Sequence, residues 1–199
     1  LGADTIDASA GIQLIAPEEH HHGHEEEDHE GHHHEEDPHI WLSPVHAATM
    51  AETICTGLIA RYPGYQSVFE NNLAVLQQEL KELNTYGLTQ LENLPCRDLI
   101  TFHDGFTYFA ESFDLHILEA VEEESGSEAS ARELIHLIEE TEHHGLPAIF
   151  TEKSGSVSAA GIIARETGCG SFALDMAMAG DSYFDAMYHN IDTIKEALG

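Results

Sequence analysis

The chain has 199 residues, 42% of them apolar, with seven Lys plus Arg against 37 Asp plus Glu and a formal charge of -30. That length allows one domain with a sizeable core or two small lobes. The charge repels phosphate backbones and anionic lipid surfaces, which argues against nucleic acid as a partner. No apolar run approaches the ~18 residues of a membrane span, and with Leu1 in place of an initiator Met the chain reads as processed or trimmed.

Residues 1 to 17 are mildly apolar and close on "GIQLIAP", a short strand or turn leading into a different kind of sequence. From 18 to 37 there are eight His, eight Glu, two Asp and two Gly. Such a segment cannot bury enough apolar surface to offset the entropy of ordering, so it is expected to be a disordered loop. Its histidines, His20, His21, His22, His24, His29, His32, His33 and His34, offer imidazole ligands without a scaffold and predict several weak metal sites.

Order is expected to resume at Asp37 with "DPHIWLSP". Ser43 reads as an N-cap and Pro44 as the first helical residue, where its missing N–H costs nothing. Ala47, Ala51, Ile54 and Leu58 recur at helical spacing, and Pro63-Gly64 stops that helix near 61. Phe69, Leu73, Leu76, Leu80 and Leu83 form the stripe of a second, core-packed helix over about 66 to 92.

After Pro95 strands and helices alternate. "DLITFH", "LHILEAV", "PAIFTE" and "SFALD" read as strands, with helices at 105 to 113, 128 to 144, 157 to 167 and 182 to 198. This is the signature of a parallel α/β sheet, in which ligands sit beyond the carboxyl ends of the strands. His103, Glu152 and Asp175 fall there. Cys55, Cys96 and Cys169 are widely spaced with no C-x-x-C pair, which leaves open either free thiols or a single Cys96–Cys169 bridge.

Imidazole and carboxylate together suit Zn²⁺ and related borderline cations. Spacing alone does not separate a ligand from a structural histidine at a strand end, and the histidine-rich segment beside His39 is what favours metal.

Four stretches, "DPHIWLSPVHAATMAETI", "LPCRDLITFHDGFTYFAESFDL", "GLPAIFTEKSGSVSAAGIIARETG" and "LDMAMAGDSYFDAMYHNIDTIKEAL", resemble, in that order, the metal-specific substrate-binding proteins of zinc and manganese ABC transporters. The resemblance covers residues 5 to 199 and is strongest to the zinc branch, since "DPHIWLSP" follows a His/acid-rich loop. It implies two α/β lobes joined by a long connecting helix, with one metal ion in the cleft between them. Residues 1–65 would then be a remnant of the first lobe, 66–94 the connector, and 95–199 a second lobe with a four-stranded parallel sheet flanked by helices.

The same resemblance implies His39 as a ligand from the first lobe, His103 from the second and, as a carboxylate ligand, Asp175, with water or another carboxylate as the alternative in zinc-type members. His103, where manganese-type relatives tend to carry Glu, points to Zn²⁺ over Mn²⁺. It further implies an extracytoplasmic, non-enzymatic, monomeric receptor that hands its ion to an ABC permease. Family members carry more chain ahead of this point, including another ligand His, so the site in this chain is expected to be incomplete.

Asp104 has two readings, orienting His103 or capping the helix after it. Glu152 has two readings, lining the cleft or, the preferred one, solvation at its strand end. His46, His116, His136 and His189 read as structural or surface residues, and Trp41 as a core anchor. Two other functions compete: a metal buffer whose activity lies wholly in the histidine-rich segment, and a metal-dependent phosphohydrolase suggested by the His103-Asp104 doublet. Phosphohydrolases built on that doublet are all-helical, whereas "LITFHD" reads as strand into turn.

Overall fold

The computed structural model describes residues 5–15, 36–121, 129–155, 157–178 and 182–199. Most of the histidine-rich segment, residues 18–35, lies outside the described residues. Its flanks meet: the amide of Asp37 donates to the carbonyl of Ile15 at 3.1 Å. Among the described residues of 1–17 there is a turn and no strand.

One 3-10 turn, Ile40–Leu42, leads into α1, Pro44–Arg61. The Ser43 hydroxyl accepts from the His46 amide and Pro44 opens the helix, the start expected from that Ser-Pro pair. After Pro63-Gly64 comes α2, Gln66–Gln90. It differs from the expectation of a core-packed helix in its first half. Leu80 and Leu83 are buried, but Phe69, Leu73 and Leu76 line an open, largely apolar groove with Ile54 and Leu58 of α1 and Phe184. An apolar stripe marks a face that can be buried and says nothing about what covers it.

The C-terminal half alternates β1 (Asp98–Thr101), α3 (Thr107–Ser112), β2 (His116–Ala120), α4 (Ala131–His144), β3 (Ala148–Glu152), α5 (Ser158–Thr167), β4 (Gly170–Leu174) and α6 (Tyr183–Leu198). The strands form one parallel sheet in the order β2-β1-β3-β4. Side chains alternate across it. Leu99, Ala148, Phe150 and Leu174 join Leu83 of α2, Phe109 of α3 and Ile191 and Ile194 of α6 on one face. Ile100 and Ile149 face the other way, onto Leu137 of α4 and Ile163 of α5. Each face is thus sealed by helices, which explains the nearly continuous apolar runs of β1 and β3.

Helix ends follow the sequence closely. Ser130 and Glu133 form a reciprocal capping box on α4, and Gly145, at φ 61°, ends it in the left-handed region. Within α2, Gly87 permits a close crossing: a Cβ there would lie 2.2 Å from the ring of Phe113. Among the described residues no helix is long and apolar enough to cross a membrane.

The strand order fixes where chemistry can occur. From β1 the chain steps outward to β2, then returns past β1 to β3 and continues to β4. The reversal falls between β1 and β3, and in open α/β sheets ligands sit beyond the carboxyl ends at that point. Thr101 pairs with Phe150, so continuing that register sets His103 against Glu152 there.

Candidate metal centre

His103 follows β1 and His39 ends the "DPH" segment, 64 residues earlier, yet their Nε2 atoms lie 3.5 Å apart. The rings meet nearly perpendicularly, with centroids 5.2 Å apart and planes at 80°. An N–H···N hydrogen bond at that distance is at the outer limit of useful geometry. What the pair offers is two imidazole nitrogens converging on one point.

Each ring has a carboxylate on its other nitrogen. His39 Nδ1 lies 2.7 Å from Asp37 Oδ1, and His103 Nδ1 lies 3.9 Å from Glu152 Oε2. The first is a short hydrogen bond and the second an electrostatic neighbour. Glu152 is therefore drawn into the site and not simply solvated as expected, and its other oxygen accepts from the Ser154 hydroxyl.

The His39 segment is held against the C-terminal half by hydrogen bonds along its length. Tyr108 Oη donates to the carbonyl of Asp37 at 3.0 Å, Trp41 Nε1 donates to the carbonyl of Met176 at 2.8 Å, and Ser112 Oγ donates to Ser43 Oγ at 2.8 Å. Tyr183 Oη donates to the carbonyl of Trp41 at 2.8 Å, and burial pushes that phenol far above its ordinary range, so it stays protonated as a donor. Trp41 is thus an anchor, as expected, but one that works through both its polar groups. Its ring also contacts that of His39, centroids 5.4 Å apart.

Asp175 follows β4 and is buried. Asn190 of α6 pins its backbone from both sides, accepting from the Asp175 amide and donating to its carbonyl, each at 2.7 Å. Its carboxylate is already engaged: Oδ1 accepts from the Ala177 amide at 2.9 Å and Oδ2 meets Lys153 Nζ at 3.2 Å. The structure brings His39 and His103 together, while Asp175 is committed to these partners. Among the described residues no group of three or more His, Cys, Asp or Glu side chains is placed to hold a metal ion.

The family described as ZnuA, zinc-uptake complex component A, periplasmic, matches residues 2–197. The chain belongs to that family. Among curated relatives it is 30% identical over 200 residues to a zinc-binding lipoprotein AdcA of Streptococcus pneumoniae, covering 96% of this chain and 40% of that protein. It is 29% identical over 164 residues to a putative metal-binding protein of Treponema pallidum, covering 81% of this chain and 52% of that one. A crystal structure of ZnuA superposes with a TM-score of 0.83 at 33% identity, over 98% of this chain and 70% of that one. The chain spans about a third to a half of the length of the curated relatives it matches.

On this ZnuA-type scaffold several residues take roles that sequence reading left open or missed. In the sequence Asp37 stands out only as the start of a motif, although an Asp two residues before a ligand-type His and separated from it by Pro is a usable signal for a short local hydrogen bond. Asp104 does not cap α3, which begins at Thr107 without a side-chain cap. Gly105 is the overlooked position, since a Cβ there would meet His103 Cδ2 at 2.7 Å and Met176 Cε at 2.8 Å.

His46, His116, His136 and His189 are structural or surface residues, as expected. His116 meets Asp98 and His136 meets Glu119, each at 3.2 Å, and His189 lies 3.1 Å from the carbonyl of Ala173. His46 packs edge-on to Tyr108, and burial lowers its pKa against the opposing pull of Glu111. All three cysteines are free thiols, Cys55 buried and the other two partly so; the alternative of a Cys96–Cys169 bridge is not realised.

Proposed function

We propose that this chain is the metal-holding part of an extracytoplasmic zinc receptor that takes Zn²⁺ as cargo and passes it to an ABC permease. The observation that carries this reading is the 3.5 Å between His39 Nε2 and His103 Nε2. Two nitrogens bound to one tetrahedral zinc at about 2.0–2.1 Å stand about 3.3–3.4 Å apart. The pair needs to move by a few tenths of an ångström at most, and the nitrogens away from the ion already face carboxylates, an arrangement that orients ligating imidazoles.

His39 and His103 are the protein ligands in this proposal. Asp175 is a third once the ion displaces Lys153, whose side chain is 67% exposed and so held by a weak, solvent-screened bridge. Water or chain beyond these residues completes the shell. The division into a first-lobe portion 1–65, a connector 66–94 and an α/β lobe 95–199 goes with this reading, as does a monomer. The weak sites at His20, His21, His22, His24, His29, His32, His33 and His34 are a second, separate store. The receptor is non-enzymatic: His103 and Asp104 follow a strand, away from the helical setting of a phosphohydrolase doublet.

The test is zinc calorimetry on the full chain with the eight loop histidines replaced by serine. His39→Ala and His103→Ala should each remove most of the remaining binding. A parent that binds no zinc, or variants that bind it as well as the parent, would leave the buffer reading in its place.

A further inference from the structure

We infer that Asp37, held in place by Tyr108, is the positioning residue that sets the tautomer of His39 and so aims its Nε2 lone pair at the cation. The inference rests on the metal-binding reading of His39 and His103 above, and adds a residue that does not touch the ion.

The geometry is specific. One oxygen of Asp37, Oδ1, meets the same residue twice: it accepts from the His39 amide at 2.9 Å and lies 2.7 Å from Nδ1 of the His39 ring. The amide contact alone is a common local turn that any Asp or Asn makes. The ring contact has a different consequence. A neutral imidazole carries one proton, and the nitrogen that donates to a carboxylate is the one that holds it. Nδ1–H donation to Asp37 leaves Nε2 unprotonated, and Nε2 is the atom facing His103. Among the described residues nothing hydrogen-bonds the second oxygen of Asp37, Oδ2, which is buried.

Asp37 is in turn immobilised. Pro38 fixes the backbone between it and His39. The Asp37 amide donates to Ile15, and its carbonyl accepts from Tyr108 Oη, which itself accepts from the Ile15 amide at 2.9 Å. Tyr108 is 1% exposed, packed in α3 directly after the His103 turn. One buried phenol therefore ties the carboxylate behind His39 to the element that follows His103. The two imidazoles are referenced to each other before any ion arrives, which lowers the ordering needed on binding.

The experiment uses the full chain with the loop histidines replaced by serine, in three readouts. Nitrogen-15 NMR of the metal-free protein, with His39 assigned by its loss in His39→Gln, reports the tautomer without involving zinc. Zinc affinity is then measured for Asp37→Asn, Asp37→Ala and Tyr108→Phe, with His39→Ala as reference, and circular dichroism checks the fold.

The expected result is an Nδ1–H tautomer for His39 in the parent that is lost in Asp37→Ala. Zinc binding should weaken by about 10–100-fold in the Asp37 variants, less in Tyr108→Phe, and not further when Asp37→Ala is added to His39→Ala. If Asp37→Ala keeps the parent's tautomer or its affinity while His39→Ala loses zinc, the positioning role is wrong and the site stands. If His39→Ala itself binds zinc like the parent, the site reading fails and this role falls with it. If Asp37→Ala loses its fold it is replaced by Asp37→Leu, which is close to Asp in shape and cannot accept from the His39 ring, judged on the same two readouts.

Discussion

Trp41 and Met176, 135 residues apart, are joined by a hydrogen bond of 2.8 Å from the indole N–H to the main-chain carbonyl. The bond fastens the segment carrying His39 to the turn after β4. It makes that segment part of the same packed body as His103, with Tyr183 closing the other side of Trp41. His39 does not have to be carried to His103 by a large motion.

Trp41→Phe should therefore keep an aromatic ring in place and lose the tether. The Met176 carbonyl would go unpaired in a partly buried setting, at a cost of about 1–3 kcal/mol. Urea unfolding should show that loss, and zinc affinity should fall with it because the His39 segment is less firmly held. Unchanged stability would mean that solvent readily replaces the indole.

Gly87→Ala should destabilise the fold even though alanine is the better helix former. The helix gains about 1 kcal/mol from the substitution, but a Cβ would sit 2.2 Å from the Phe113 ring, and that ring is 2% exposed with no room to retreat. Overpacking of this kind costs about 1–3 kcal/mol, so the net effect is a lowered urea midpoint. The loss should shrink in a Phe113→Leu background, where the clashing atoms are gone.

His46 gives the fold a pH dependence of predictable sign. Its ring lies edge-on to Tyr108, its Nδ1 is buried without a hydrogen-bond partner among the described residues, and burial lowers its pKa from the ordinary 6.5, partly opposed by Glu111. The unfolded chain takes up this proton as pH falls through 6.5, while the folded chain resists until lower pH. Protonation in that window favours unfolding, so stability drops as pH falls below 6.5. His46→Gln should remove this share of the drop. Comparing urea midpoints for parent and variant at about pH 7.5 and about pH 5.5 checks it.

Much of the architecture was legible in the sequence because local chemistry dictates it. Ser43-Pro44 starts α1, Gly145 and Gly168 end α4 and α5 with positive φ, and the apolar runs of β1 and β3 announce strands covered on both faces. What was not legible depends on three-dimensional neighbours. Phe69 and Leu73 look like core in the sequence, and only the structure shows the open groove between α1 and α2. The strand order, which puts β1 beside β3 and so Glu152 beside His103, leaves no trace in the spacing of the strands. The pairing of His39 with His103 came from family resemblance, since nothing local links residues so far apart.

Gly105 is the position where the fold and the site constrain each other most tightly. It lies in the turn between β1 and α3, and a side chain there would meet His103 at Cδ2, 2.7 Å, and at Nε2, 2.9 Å, as well as Met176 Cε at 2.8 Å. The Met176 side chain is flexible and can swing aside. The imidazole cannot do so without losing its alignment with His39. Because metal sites tolerate ligand displacements of only about 0.2 Å, a ring pushed aside by several tenths of an ångström no longer shares a tetrahedral edge with its partner. Gly105→Ala should thus lower zinc affinity by about tenfold or more, roughly 1.4 kcal/mol, while the urea midpoint moves little, since the turn lies at a sheet end and Met176 can absorb part of the added volume. The opposite pattern, an unfolding defect with full zinc affinity, would show that the glycine serves the turn and that His103 has more room than its Nε2 contact indicates.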